Sequence, residues 1–159
     1  MIYSKTCEYA LRALVYLAQK NTEGLTMIPE ISRESGVPGP YVAKIFRDLV
    51  GQNILESRKG PRGGFRFKLD PGKITLMQVV EAVDDGSRMN ACAMGLDECS
   101  VANACPLHHV WTEAKKKIIT LLEKETLRSV KKKVSLKSYR AVQRSQLNTN
   151  MCSVVGGLD

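Results

Sequence analysis

The sequence predicts a mainly α-helical chain with one small β-hairpin, and two observations predict this class. Apolar residues recur every three or four positions along five segments, which is the period of an amphipathic helix. Two short runs of strand-forming residues flank the glycine-rich stretch 60–64, which is typical of a hairpin turn. Two short helices followed by a hairpin predict a winged helix–turn–helix, and a long dimerisation helix is expected after it.

The first three elements are predicted helices. Residues 3–20 form an amphipathic helix, whose apolar face consists of Cys7, Ala10, Leu11, Leu14, Leu17 and Ala18. A short helix over 27–35 has Thr26 as its expected N-cap, and Gly36 suits the left-handed position after its end. A third helix over 40–52 follows a turn rich in proline and glycine. Its inward residues are Val42, Ile45, Phe46, Leu49 and Val50.

The next elements are two strands, a helix and a loop. Strands are expected at 54–58 and 65–69, with the glycine-rich turn between them. An amphipathic helix over 74–85 follows. Residues 86–105 have no pattern that would build a core, and we expect them to form a loop.

A long final helix is expected from Pro106 to about Lys133. Its roughly 28 residues, at 1.5 Å each, would span about 42 Å, which is too long for this small domain to cover. We therefore expect a homodimer to bury its apolar stripe. The alternative is a break near Glu123–Glu125, after which the helix packs back on its own domain. The stripe consists of Val110, Trp111, Ala114, Ile118, Leu121, Leu122, Leu127, Val130 and Val134.

The charge of the chain predicts an anionic partner. The formal net charge is +8 and the sequence pI is near 9.4. Residues 58–68 contain five Lys or Arg and no acid, and they include the hairpin tip. Basic charge at the tip of a winged helix predicts double-stranded DNA as the partner. The alternative is a protein-binding surface on which these side chains are only solvated.

The DNA-reading residues follow from the expected docking of the third helix in the major groove. Its outward side chains are Tyr41, Lys44, Arg47 and Asp48. Lys44 can donate to guanine or to phosphate, and Tyr41 is expected at phosphate. The wing cations are Arg58, Lys59, Arg62, Arg66 and Lys68. Of these, Lys59 or Arg62 could enter a narrow minor groove.

Three cysteines lie within fourteen residues, at Cys92, Cys99 and Cys105. Thiolates on one loop can hold an iron–sulfur cluster, either [2Fe–2S] or [4Fe–4S], which usually takes four protein ligands. Candidates for the fourth ligand are His108 and Glu8 from a partner subunit. The alternatives are a Cys3His zinc site, reactive thiols without metal, and a loop that has lost its cluster. The spacing lacks the Cys-x-x-Cys pairs of most structural zinc sites.

Three segments resemble the bacterial winged-helix regulators typified by IscR, NsrR and CymR. They are SKTCEYALRAL at 4–14, GPRGGF at 60–65 and ITLMQVVEAV at 74–83. The resemblance implies a homodimer with crossed long helices, palindromic operators and a cluster near the dimer interface. It implies control of genes for iron–sulfur assembly, iron supply, or nitric oxide and redox stress.

The resemblance also assigns residues. It implies that the three loop cysteines are the cluster ligands. His108 matches the histidine that completes the site in IscR, and Glu8 matches the acidic position that serves NsrR-like proteins. Pro40 stands where IscR-like proteins often have a base-reading residue, and Lys59 replaces their usual wing arginine. Members such as CymR lack the cysteines.

The predicted organisation has four parts. Residues 1–85 are the DNA-binding domain, 86–105 the cluster-binding loop, 106–135 the dimerisation helix and 136–159 a disordered tail. The odd number of cysteines and the absence of a leader-like N-terminus indicate a cytoplasmic protein.

The predicted function is a cluster-dependent transcription regulator, acting as a repressor, that senses redox state, nitric oxide or iron status. The alternatives are a cluster-free thiol- or zinc-based regulator and a small iron–sulfur electron carrier. The sequence contains no convincing pair of nucleophile and base that would indicate an enzyme.

Overall fold

The computed structural model describes residues 2–20, 24–84, 89, 91–95 and 104–133. Within these ranges the predicted class is confirmed, because the chain forms helices and one two-stranded antiparallel sheet. The elements are α1 (Lys5–Lys20), α2 (Ile28–Ser35), α3 (Gly39–Gly51), β1 (Leu55–Arg58), β2 (Gly64–Phe67), α4 (Leu76–Asp84), α5 (His108–Lys124) and α6 (Leu127–Lys133). The tail predicted at 136–159 and Cys99 of the loop lie outside the described residues.

Helix α1 is the centre of the core. It packs against α2, α3, α4 and α6. Cys7, Ala10 and Ala13 are completely buried, and their small size lets the neighbouring helices come close to the α1 backbone. Leu14 is also buried, whereas Leu11 of the predicted face is half-buried. The periodicity therefore predicted the correct face of this helix.

Helices α2 and α3 form the helix–turn–helix. The predicted left-handed residue is confirmed, since Gly36 has φ 65° and its N–H donates to the carbonyl of Ser32. The predicted N-cap is wrong, because Met27 takes that position without a side-chain hydrogen bond. The Thr26 backbone instead exchanges two 2.9 Å hydrogen bonds with Phe65. The inward residues of α3 are buried at Val42, Ile45, Phe46 and Leu49.

Strands β1 and β2 form the wing, with Glu56 opposite Arg66 in the register. Thr26 pairs with Phe65 in an isolated antiparallel bridge, so this single residue forms a short third edge beside β2. Gly64 lies beside that edge with φ +150°, and a Cβ there would stand 2.6 Å from the Thr26 carbonyl oxygen. Only glycine fits without strain at this place, which explains one of the glycines at the hairpin tip.

The prediction of a single helix over 106–133 is wrong, because the chain forms two helices. Helix α5 ends at Lys124, and Glu125 is extended with φ −82° and ψ 134°. The break is held by backbone pairing with the start of α4. The Leu76 N–H donates to the Glu125 carbonyl at 2.9 Å, and the Leu127 N–H donates to the Ile74 carbonyl at 3.0 Å. This long-range pairing is the physical reason that the helix stops.

Reciprocal hydrogen bonds cap both helices that begin at this junction. The Ser129 N–H donates to Thr126 Oγ1 at 3.2 Å, and the Thr126 N–H donates to Ser129 Oγ at 2.9 Å. Thr75 and Gln78 make the same exchange at the start of α4. Such capping boxes satisfy backbone donors that the first turn of a helix leaves unpaired.

The break turns α6 back onto α1, which was the alternative topology. Lys131 Nζ donates to the Ala18 carbonyl at 3.0 Å, and Gln19 Nε2 donates to the Lys131 carbonyl at 3.3 Å. Lysine near the end of a helix satisfies carbonyls that lack an intrahelical partner. Helix α5 alone, with 17 residues, is about 26 Å long.

We expect Thr126→Ala to lower the free energy of unfolding by about 0.5–2 kcal/mol, because the α6 cap is lost. Thr120→Ala is the matched control, since Thr120 is exposed within α5 and its substitution should change stability by less than about 0.5 kcal/mol. Urea unfolding of the two variants measures the difference. Equal stabilities would show that the cap does not stabilise the break.

Candidate nucleic-acid interface and cysteine site

The outward face of α3 contains the side chains predicted to reach DNA. Tyr41, Lys44, Arg47 and Asp48 are all exposed. Arg47 bends back on its own helix, where its Nε donates to the Ala43 carbonyl at 3.2 Å. Lys44 makes no hydrogen bond or ion pair with any residue that the structure describes. Its ammonium group can therefore bind an external anion without breaking an internal contact.

Tyr41 is held by a residue that the sequence analysis did not single out. The Tyr9 and Tyr41 rings form an edge-to-face pair with centroids 5.4 Å apart. Lys5 Nζ lies 5.4 Å from the centre of the Tyr9 ring, which places a cation next to the pair. Tyr9 thus connects α1 to the surface of α3, the recognition helix of the motif. No local sequence pattern indicates this contact, because the two rings lie on different helices.

Helix α1 also fixes the other helix of the motif. Arg12 Nη2 donates to the Ser35 carbonyl at 3.1 Å, at the end of α2. Tyr16 Oη donates to Glu30 at 2.7 Å, and Lys20 Nζ lies 2.6 Å from the same carboxylate. The hydrogen bonds from Lys20 and then Tyr16 lower the pKa of Glu30 below its usual value. These contacts recur along one stripe of α1 and orient the helix–turn–helix as a unit.

The wing carries two kinds of cation. Arg66 pairs with Glu56 on the opposite strand, and Lys68 Nζ donates to Asn53 at 2.6 Å. Three other exposed cations make no hydrogen bond or ion pair with any part of the chain that is described. These three tip cations are Arg58, Lys59 and Arg62. The structure thus separates the wing cations that have internal partners from those available to phosphate.

The loop between α4 and α5 brings two of the predicted cysteines together. The sulfurs of Cys92 and Cys105 lie 3.8 Å apart, and both residues are half-exposed. The Met94 N–H points at the Cys92 sulfur from 3.4 Å. Trp111 of α5 donates to the Ala91 carbonyl at 3.0 Å, which ties this part of the loop to α5.

The separation of the two sulfurs fits thiolate ligation. Two thiolates about 2.3 Å from one tetrahedral metal ion lie about 3.8 Å apart. Soft sulfur ligands suit both iron–sulfur clusters and zinc. Among the described residues, which do not include Cys99, no group of three His, Cys, Asp or Glu is placed to hold a metal ion. The agreement with metal ligation therefore rests on the distance between the Cys92 and Cys105 sulfurs.

The two candidates for a fourth ligand differ in environment. His108 is buried, since only 7% of the residue is exposed. It begins α5, and its backbone N–H donates to the Cys105 carbonyl at 2.9 Å. The Glu8 side chain is 30% exposed and pairs with Lys5 at 2.8 Å and Arg12 at 3.5 Å.

The beginning of the cysteine loop is fixed to the beginning of α1. Asp84, the last residue of α4, accepts hydrogen bonds from the backbone N–H and the hydroxyl of Ser4. The Ser4 hydroxyl in turn accepts from the Cys7 N–H at 3.1 Å, in the first turn of α1. The end of α4 and the start of the helix that carries Tyr9 are therefore directly joined.

These features define a winged-helix, DNA-binding transcription regulator. Residues 3–133 match the model of the Rrf2 family, which is described as an iron-dependent transcriptional regulator. The chain belongs to the Rrf2 family, whose members are regulators and not enzymes. Within the described residues, no helix has the length and apolarity required to span a membrane.

Individual relatives agree with this family. The chain is 36% identical over 132 residues to a candidate HTH-type transcriptional regulator of Aquifex aeolicus, covering 82% of this chain and 91% of that protein. It is 28% identical over 114 residues to the regulator IscR of Xenorhabdus nematophila, covering 72% and 69%. Among solved structures, CymR, the global cysteine regulator of B. subtilis, has a similar fold, with a TM-score of 0.68 at 19% identity over 83% of this chain and 97% of that one.

Cys7, in contrast to Cys92 and Cys105, is a core residue. It is completely buried, and burial together with the nearby Asp84 charge raises the pKa of its thiol from 9.0 to about 12. Above pH 9 the unfolded chain loses this proton while the folded chain keeps it. The Cys7 thiol therefore lowers the free energy of unfolding as the pH rises from about 9 towards 12.

We expect the stability difference between the native chain and Cys7→Ala to shrink as the pH rises above 9. The alanine variant lacks the thiol, so its own stability does not contain this pH-dependent contribution. The measurement is the free energy of unfolding of both proteins at pH 7.5, 9 and 10.5 in the presence of reductant. A difference that is constant across this range would contradict the assignment of Cys7 to the neutral core.

Proposed function

We propose that this Rrf2-family protein is a cytoplasmic, homodimeric repressor that binds palindromic operators and senses redox state, nitric oxide or iron status through an iron–sulfur cluster. Cys92, Cys99 and Cys105 would hold the cluster. The observation that carries this proposal is the 3.8 Å approach of the Cys92 and Cys105 sulfurs next to α5. When bound, a cluster supplies a centre that reacts with oxidants and nitric oxide.

The DNA-binding part of the proposal rests on the placement of exposed cations. Tyr41, Lys44 and Arg47 are exposed on α3, and the three tip cations are exposed on the wing. In a winged helix these two elements contact the major groove and the neighbouring backbone or minor groove. The net charge of +8 favours association with phosphate.

The dimer is proposed to form along α5. Val110 is 71% exposed and Leu121 is 56% exposed, although both are large and apolar. They are eleven positions apart, which places them on the same face of a helix with 3.6 residues per turn. A second copy of the chain would cover this stripe, and the twofold axis would set two recognition helices one duplex turn apart, about 34 Å. Helix α5 is shorter than the single helix predicted over 106–133, but its apolar stripe is still exposed.

For the fourth ligand, the environments favour Glu8 of the partner subunit. Its carboxylate is partly exposed, and its 2.8 Å pair with the largely exposed Lys5 is the kind of surface contact that contributes little stability. Its other ion pair, with the less exposed Arg12, is longer at 3.5 Å. A ligand from outside the chain must be able to leave its own contacts. His108 has its side chain buried within its own subunit.

Coupling between the loop and DNA is proposed to run through the start of α1. The loop begins at Asp84, which is bonded to Ser4, and the first turns of α1 carry Tyr9. Tyr9 packs on Tyr41 of the recognition helix. A shift of Asp84 would therefore displace a residue of the proposed DNA surface. A coupling free energy of about 1–3 kcal/mol would change operator occupancy severalfold or more.

We expect Lys59→Ala and Arg62→Ala to weaken operator binding and to reduce its salt dependence. Each lost phosphate contact should lower the slope of log K against log salt by about one unit. Lys44→Ala on the recognition helix should also weaken binding. Fluorescence anisotropy with a fragment of the protein's own promoter, at several salt concentrations, measures both quantities.

Arg66→Ala is the control for the wing variants, because Arg66 already pairs with Glu56 and lies away from the tip. It removes the same charge from the same hairpin. A loss of affinity for Arg66→Ala equal to that of the tip variants would show that only net charge matters. Unchanged binding by the tip variants and Lys44→Ala would refute the proposed DNA face.

We expect oxygen-free protein to show the visible absorbance of an iron–sulfur cluster, and Cys92→Ala, Cys99→Ala and Cys105→Ala each to remove most of it. Iron, sulfide and zinc analyses accompany the spectrum. Cys7→Ala is the matched control and should keep its colour. A colourless protein containing stoichiometric zinc would favour the zinc alternative, and three fully coloured loop variants would refute the ligand assignment.

A further inference from the structure

We propose that Cys92 and Cys105 form an intramolecular disulfide when the metal-free protein meets a peroxide. The proposal starts from two thiols that are not joined in a disulfide and lie in van der Waals contact at 3.8 Å. It goes beyond the proposed cluster, because it concerns what the sulfurs do when no metal separates them. Of the cysteines that the structure describes, Cys7 is excluded from this pair by its complete burial in the core.

The geometry requires only a small movement. A disulfide has an S–S length of about 2.05 Å, so the two sulfurs must approach by somewhat less than 2 Å. Cys105 is joined to the start of α5 through the hydrogen bond from His108 to its carbonyl. Cys92 follows Ala91, whose carbonyl accepts from Trp111 of the same helix. Both sulfurs are thus held near the first turn of α5, which keeps them close.

Both thiols are also accessible to a small oxidant, because each residue is half-exposed. The Met94 N–H points at the Cys92 sulfur from 3.4 Å, so a hydrogen-bond donor stands beside that sulfur. The thiolate is the nucleophile in thiol oxidation, and we take Cys92, which has this donor beside it, as the sulfur that attacks first. Cys105 is then the resolving thiol, since it lies next to the oxidised sulfur.

The chemistry consumes one hydrogen peroxide. The Cys92 thiolate attacks one peroxide oxygen, the O–O bond breaks, and hydroxide leaves and takes a proton to become water. This gives a sulfenic acid at Cys92. The Cys105 thiolate attacks that sulfur, the S–O bond breaks, and a second water leaves as the S–S bond forms. Two thiols are oxidised by two electrons, and the peroxide is reduced to two waters.

The disulfide and thiolate ligation of metal exclude each other, because both use the same sulfurs. Oxidised protein could therefore not take up iron or zinc at this pair until a reductant cleaves the bond. The redox history of the metal-free chain would then decide whether the loop can be loaded.

The test is differential alkylation of the full-length chain after metal removal with a chelator and complete reduction. Reduced protein is treated with hydrogen peroxide, denatured in acid and labelled with N-ethylmaleimide, then reduced and labelled with iodoacetamide. We expect the thiols that react with the first label to fall from five to three. Trypsin releases residues 89–115 as one peptide with all three loop cysteines, because no Lys or Arg lies within 89–114. Fragmentation should place iodoacetamide on Cys92 and Cys105 and N-ethylmaleimide on Cys99.

The matched control is Cys99→Ser, which should still lose two reactive thiols, from four to two. In Cys105→Ser, peroxide should leave a dimedone-reactive sulfenic acid on Cys92. A second label on Cys99 in the native chain, or no loss of thiols at peroxide concentrations that oxidise exposed methionine, would overturn the proposal. Zinc or iron uptake by the reduced protein is scored separately. Absence of a cluster would therefore refute the proposed function and leave the disulfide result standing.

Discussion

The close packing of α1 against four other helices is the contact on which the rest of the structure depends. Cys7, Ala10 and Ala13 have no exposed surface, so there is no room for a larger side chain at these positions. Overpacking a core typically costs about 1–3 kcal/mol and displaces the backbone. Here the displaced partners would include α3, which carries the proposed DNA surface, and α4, which leads into the cysteine loop.

The polar side of the same helix gives this packing its direction. Arg12, Tyr16 and Lys20 bind the ends of α2, and Lys131 from α6 satisfies the Ala18 carbonyl in the last turn of α1. The exposed pairs among these contacts contribute little stability individually. Together they fix the rotation of α1 relative to the helix–turn–helix. The orientation of the recognition helix is thus set by a helix that lies outside the motif itself.

Residues governed by local rules could be predicted from the sequence. The inward face of α3 followed from its period, and the position of Lys59 and Arg62 at a hairpin tip followed from turn chemistry. The residues whose structure was predicted wrongly make contacts with partners that are distant in the sequence. Thr26 is a good N-cap by type, but its backbone pairs with Phe65. The apolar stripe continues past Thr126 to Leu127, yet pairing of Thr126 with Thr75 interrupts the helix there. No window of neighbouring residues contains either contact.

The cysteine site shows the same division. Residue types and spacing indicated three thiol ligands, but the approach of Cys92 to Cys105 and the burial of His108 depend on the three-dimensional fold. The junction at Thr75 and Thr126 has a wider consequence. It joins the start of α4 to the end of α5, so the segment between these helices connects two elements that are already held together. The closure entropy of such a segment changes slowly with its length. Related proteins could therefore lengthen, shorten or exchange that segment and so respond to different chemical signals. The DNA-binding part of the chain would stay unchanged.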